Sequence, residues 1–223
     1  MTNIKNLTGK ISFPTFIKYI TAFYMAGAIM QNIMAAKTLG TPNFAITAGG
    51  TLIAVFVFAS MDIITEVCGK KTAIVTFSMA AILNLLFNGI CWIDIAIPGT
   101  DDFINECYTV ILGTGWRITL GSTIAFWLGN YINANIMARM KSKDGEKKFI
   151  FRAILSTVFG QIVDNLLFYM IAFSPIGIPG TIENPWSMIF QLVLCTTVIE
   201  IIVESCFTPI TSRFVKFLKA KNN

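Results

Sequence analysis

Three carboxylates lie where an apolar chain can least tolerate them. Asp164, Glu200 and Glu204 sit inside long hydrophobic runs, and Asp62 and Glu66 fall near the end of another. A charged side chain at the centre of a bilayer costs about 2.5–3.5 kcal/mol on insertion scales, so each needs a partner or a cavity. Arg117 is the one cation placed at comparable depth. One cation against three acids leaves a surplus, which protonation, a bound cation or a positively charged substrate must remove. All three routes imply a binding or transport cavity, because interhelical glue would be charge-balanced. In helical spacing, Gln161, Asp164, Asn165 and Phe168 stand at i, i+3, i+4 and i+7 and form one stripe. Glu200 and Glu204 are one turn apart on a shared face, as are Asp62 and Glu66. Trp116 adjoins Arg117 and offers a plane on which a flat ligand could stack, although tryptophan also serves as an interfacial anchor.

Composition removes the other classes of function. The 223 residues are 55% hydrophobic and only 13% charged, with a mean hydropathy of +0.69, whereas soluble domains carry about 25% charged residues. An ordinary soluble enzyme, a disordered chain and a nucleic-acid-binding module are excluded, and the lipid bilayer becomes the chain's first partner. There is no histidine. Histidine triads, histidine-ligated zinc and histidine proton shuttles are therefore excluded, and no motif calls for a metal or a cofactor. The cysteines Cys68, Cys91, Cys107, Cys195 and Cys206 show no CxxC spacing and read as small buried hydrophobes.

The elements that must position these groups are helices. A spanning helix needs about 20 apolar residues, and the chain divides into six such runs at approximately 15–36, 44–64, 72–93, 108–138, 149–173 and 186–210. The expectation is an all-α integral membrane protein of six transmembrane helices. It forms one domain over 1–223, with halves of about 1–106 and 107–223. Lys5 and Lys10 precede an apolar run too long for a cleavable signal peptide. Counted over alternate loops, fifteen of the seventeen basic residues fall on one side; the other holds Lys37 beside Asp94, Asp101, Asp102, Glu106 and Glu183. The positive-inside bias then puts both termini in the cytoplasm of a cell membrane. On this reading the basic loops, including Met140–Lys148, set topology rather than bind an anionic ligand. Gly69, followed by Lys70 and Lys71, reads as a helix C-terminus. The small pair Ser156 and Gly160 allows close helix approach and with it a homodimer.

The two halves echo each other. Asn32-Ile-Met-Ala35 on the first helix recurs as Asn135-Ile-Met-Ala138 on the fourth. Val57-Phe-Ala-Ser-Met-Asp62 resembles Val158-Phe-Gly-Gln-Ile-Val-Asp164 with one insertion, and the third helix of each half carries a polar pair, Asn84/Asn88 and Glu200/Glu204. Three helices per half give the second half inverted topology, an arrangement that places substrate sites near the midplane between halves.

Several ordered motifs match a known pattern. Asp62-Ile-Ile-Thr-Glu-Val-Cys-Gly69 is similar to a D-I-x-T-E-V-Y-G signature, and Gly160-Gln-Ile-Val-Asp-Asn-Leu-Leu-Phe168 to G-Q-x-x-D-x-x-x-F. Glu204 followed by Thr208-Pro209 and a basic tail resembles an E-x-x-x-T-P ending, and Asn32-Ile-Met-Ala-Ala-Lys37 and Arg117 also correspond. Together these resemble the queuosine precursor transporter family, also called the vitamin uptake transporter family. The resemblance implies a six-helix importer of 7-deazaguanine bases, so that the small-molecule partner is a modified purine base. Two positions depart from the pattern: Cys68 stands at the usual Tyr, and Glu200 where relatives often carry a basic residue. Glu200 reverses local charge and bears on which base is carried. A guanine-like base presents a ring N–H and an exocyclic amine side by side to a carboxylate, while its carbonyl and ring acceptor need donors such as Gln161, Asn165, Arg117 or Lys37. The substrate-binding candidates are accordingly Asn32, Lys37, Asp62, Glu66, Trp116, Arg117, Gln161, Asp164, Asn165, Phe168, Glu200 and Glu204.

Two other readings compete. One is a substrate-binding membrane subunit of an ATP-energised uptake system, which the same length and basic face would suit. The other is an intramembrane hydrolase in which Asp164 shares a proton with Asp62 or Glu204. No nucleophile motif or metal-ligand cluster supports the hydrolase, and the chain is read as a transporter rather than an enzyme.

Overall fold

A computed structural model of the chain describes residues 13–144, 149–174 and 185–222. The loop charges Lys5, Lys10, Lys147, Lys148 and Glu183, and the side chain of Glu66, lie outside the described residues. In chain order the elements are α1 (Phe13–Ala35), β1 (Thr38–Thr41), β2 (Phe44–Ala48), α2 (Thr51–Cys68), α3 (Lys70–Ala96), α4 (Asp102–Leu112), α5 (Gly115–Asp144), α6 (Phe149–Phe173) and α7 (Trp186–Asn222). Three helical stretches, Lys71–Ala96, Ile154–Phe173 and Trp186–Val215, are long and apolar enough to cross a membrane, and Thr51–Thr65 is a shorter apolar helix. At 1.5 Å per residue, α1 and α5, of 23 and 30 residues, also have the length to cross a core of about 30 Å.

The expected run 44–64 is not one helix, so the fold is not purely α. Phe44–Ala48 forms a strand paired antiparallel with Thr38–Thr41. Ala45, Thr47 and Ala48 are buried while Phe44 and Ile46 are exposed, close to the two-residue period of a strand. Helix begins only after Gly49 and Gly50, which press against the end of α1. A Cβ on Gly49 would stand 2.5 Å from the Met34 carbonyl oxygen, and one on Gly50 would collide with that of Gln31. The Gly49 N–H donates at 2.7 Å to the carbonyl of Lys37, which lies between α1 and β1, and so closes the open end of the hairpin.

Non-helical backbone at membrane depth is tolerated only where protein buries it. Here a chain of hydroxyls does the work. The Ala48 N–H donates to the Tyr169 hydroxyl at 3.0 Å, which lies 2.7 Å from Thr196 Oγ1. Thr196 donates in turn to Thr47 Oγ1 at 2.9 Å, and Thr47 lies 2.6 Å from Thr51 Oγ1. Around this chain Ala45 and Ala48 pack with Ala35, Ile118, Tyr169, Phe173, Ile189 and Leu192. A second core of Tyr24, Val57, Met61, Ile64, Ala73 and Ala80 joins α1, α2 and α3.

Two further differences have local causes. The expected run 108–138 is broken at Gly113: its N–H caps α4 on Thr109, and the Thr114 carbonyl opens α5. The freed helix α4 is amphipathic and has no buried residue; its N-terminus is capped by Asp101, which accepts from the Ile104 N–H at 3.0 Å. Gly69 does end α2 as expected, at φ 84°, with its N–H on Thr65. The small pair on α6 is used inside the chain. Ser156 and Gly160 are buried, and a Cβ on Gly160 would meet the Gly129 carbonyl of α5 at 3.1 Å. All five cysteines are free; Cys91 is buried but Cys206 is exposed, so burial is not their common property.

Tyr169→Phe should strand the Ala48 N–H. A buried unpaired polar group costs about 1–3 kcal/mol, so thermal unfolding in detergent should show a melting temperature lowered by several degrees. Thr196→Val, which breaks the same chain, should add less in that background than alone.

Candidate functional site

The site is built on the antiparallel contact between α6 and α7. Gln161 Nε2 donates to Glu204 Oε2 at 3.0 Å. One turn along, Asn165 Nδ2 donates to Glu200 Oε2 at 2.6 Å, and one turn further the Tyr169 and Thr196 hydroxyls meet. Thr157 adds a second donor to Glu204, on Oε1 at 3.0 Å. Residues 161, 165 and 169 thus face 204, 200 and 196, every fourth residue of each helix forming a rung. This ladder divides the stripe read from the sequence. Gln161 and Asn165 turn to α7, leaving Asp164 and Phe168, 100° or so around the helix, to face the bundle's cavities.

Three adjoining cavities run along this contact. The largest encloses about 750 Å³, counting its open mouth. Glu200, Asp164, Asn165, Asn32 and Asn84 give it polar walls; Phe58, Phe77, Phe126 and Phe168 supply flat apolar ones. A second, of about 420 Å³, is lined by Asp62, Gln161, Asp164 and Glu204, and a third, of about 320 Å³, by Asp62, Glu200 and Glu204. Asp164 lines the first two and has no hydrogen-bond partner among the described residues. Asp164, Glu200 and Glu204 form no ion pair among the described residues. Glu200 and Glu204 accept from neutral amides and a hydroxyl, and the charged groups that share their cavities are acids, so the acid surplus persists among the described residues.

A family model described as "Putative vitamin uptake transporter" matches residues 48–214, more than half of the chain. The chain belongs to this family. No curated protein and no solved structure matches it. Membership makes it a membrane transporter with a small-molecule substrate. The match opens at Ala48, where the hydroxyl chain grips the hairpin, and covers the α6–α7 ladder and every acid lining the cavities. It leaves out α1, and with it Asn32 and Lys37.

Within this vitamin uptake transporter, the expected binding residues separate into two groups. Asn32, Asp164, Asn165, Phe168 and Glu200 line the first cavity; Asp62, Gln161, Asp164 and Glu204 line the second. Asn32 reaches it through α3, its Nδ2 donating to Asn84 Oδ1 at 2.9 Å. Arg117, Trp116 and Lys37 stand apart. Arg117 is buried, but its guanidinium closes the C-terminus of α6, donating to the carbonyls of Ile171 at 3.1 Å and Ser174 at 2.9 Å. A cation there complements the negative end of the helix dipole. Trp116 meets Trp92 edge-on with centroids 6.5 Å apart, and Lys37 is exposed beyond α1. Tyr169 and Thr196 were missed as candidates, although both continue the four-residue spacing of Gln161/Asn165 and Glu200/Glu204.

Position and pairing separate two roles that can be measured. Asn165→Leu removes the donor to buried Glu200 and should lower the melting temperature by several degrees, since an unpaired buried acceptor costs about 1–3 kcal/mol. Asp164→Asn breaks no bond to a described residue and should melt within a degree or two of the wild type, while substrate uptake falls by an order of magnitude or more.

Proposed function

We propose that this vitamin uptake transporter imports queuosine precursors, the 7-deazaguanine bases, as a secondary carrier. The observation that carries the reading is a carboxylate, Asp164, with no hydrogen-bond partner among the described residues, beside aromatic walls in a cavity whose acids meet no counter-charge among those residues. A 7-deazaguanine offers such a carboxylate two N–H donors in one plane, and its flat face suits Phe58, Phe126 and Phe168. Asn32, Asn84 and Asn165 each spend one amide N–H inside the protein, so the base's carbonyl falls to their second N–H or to the amide of Gln31 in the same lining. An aminomethyl substituent would bring a positive charge that Glu200 accepts. The motifs from Asp62 to Gly69 and from Gly160 to Phe168 support this substrate class, and α2 and α6 carry those motifs into the cavities.

The same reading takes the chain across the plasma membrane six times, as two inverted halves with both termini in the cytoplasm. Residues related by the internal repeat meet in shared spaces, Asn84 with Glu200 in the first cavity and Asp62 with Asp164 in the second. Rocking one half against the other would then expose the acids alternately. One copy of the chain holds every residue this cycle uses.

The test is uptake of radiolabelled 7-deazaguanines into sealed vesicles containing only the purified chain, without ATP. Accumulation that free guanine-like bases inhibit is the expected result; no uptake until an ATP-driven module is added would replace the carrier with a capture subunit. Glu200→Lys should shift preference at least several-fold from the aminomethyl base toward neutral precursors. An unchanged preference would remove Glu200 from substrate choice.

A further inference from the structure

One aromatic side chain borders all three cavities. Phe58 of α2 lines each of them, and Phe126 of α5 lines the first two. Their rings are nearly parallel, 12° apart, with centroids 6.3 Å from each other. Phe126 is backed on its own account by Phe77 of α3, at 4.4 Å and 20°, and Trp127 meets Phe77 at 6.2 Å. The contact on Phe126 is therefore close on the Phe77 side and wide on the Phe58 side. Aromatic pairs attract each other out to about 7 Å, so the wide pair stays associated at the border the two cavities share. Carbon atoms in contact sit about 3.5–4.0 Å apart, so a flat ring held between two others needs their planes about 7–8 Å apart; centroids 6.3 Å apart put these planes no further than that, so one ring must move to admit it.

We infer that Phe58 and Phe126 are the leaves of a stacking gate between the first cavity and the second. A planar heteroaromatic substrate passes by inserting between them, Phe126 fixed against Phe77 and Phe58 swinging. The inference rests on the proposed substrate class only for the flatness of the cargo. Asp164 lines the cavities on both sides of the gate, so a base between the leaves keeps one carboxylate within reach throughout its passage. Glu200 lines the first cavity and Glu204 the second, which gives the cargo an acid to leave and an acid to approach.

Two readouts test the gate, one of them independent of any substrate. Asn133 lines the second cavity. In sealed vesicles, Asn133→Cys should react with a membrane-impermeant maleimide, above the reaction of the native cysteines, from one face only. Adding Phe58→Ala should open labelling from the other face as well; labelling that stays one-sided overturns the gate. The second readout is 7-deazaguanine uptake. Phe58→Leu keeps the bulk but removes the aromatic face, so labelling should stay one-sided while uptake falls at least ten-fold. Phe58→Tyr keeps the aromatic face, so labelling should stay one-sided and uptake should fall less than with Phe58→Leu. Wild-type uptake by Phe58→Leu would overturn the stacking. If the wild-type chain carries no 7-deazaguanine at all, the substrate class fails and the labelling result still decides the gate.

Discussion

The contact between α6 and α7 is the constraint on which the other parts depend. Its three rungs repeat every fourth residue on both helices, and each rung serves a different need. The rung of Tyr169 and Thr196 holds the hairpin by the Ala48 N–H. The middle one orients Glu200 within the first cavity, and the rung of Gln161 orients Glu204 within the second. A carboxylate in an apolar bundle must be hydrogen-bonded or charge-paired, and here the partners are neutral amides. Such partners hold the acids in place while leaving their charge uncancelled, which suits a site that must attract a donor-rich or cationic cargo and then let it go.

Much of this was legible in the chain, and the parts that were not have identifiable reasons. The shared face of Glu200 and Glu204 follows from spacing alone, because helical periodicity survives any tertiary arrangement. The i, i+3, i+4, i+7 stripe on α6 is also a matter of spacing, and each of its members borders a cavity. Spacing cannot say that a stripe about 100° wide meets two different surroundings, with Gln161 and Asn165 on a neighbouring helix and Asp164 and Phe168 on open space. Arg117 illustrates the same limit. Its depth made it a candidate donor to the base, but depth does not register a competing need, the unpaired carbonyls at the end of α6, where its guanidinium lies.

The hairpin was hidden for a different reason. Phe44–Ala48 is as apolar as a membrane helix, and hydropathy windows average over the alternation that marks a strand. The informative signal was Gly49-Gly50, where two adjacent residues of poor helix propensity precede an otherwise regular run. Gly113 carried the same message for the break between α4 and α5. In both places a glycine allows a backbone path that a longer apolar run would have concealed.

The periodicity of the ladder has a consequence for how firmly its register is set. Sliding α7 by one turn along α6, about 5.4 Å, would bring Gln161 opposite Thr208, Asn165 opposite Glu204 and Tyr169 opposite Glu200. Every rung would again pair two polar side chains, so the interface alone is degenerate, like a rack that meshes at more than one tooth. What breaks the degeneracy is Thr196. Its hydroxyl is tied to Thr47 of the hairpin, and the hairpin abuts the end of α1 where Gly49 packs against the Met34 carbonyl. The small strand pair therefore acts as the pawl of that rack, and the position of both acids along the bundle is set by a turn of backbone that touches neither.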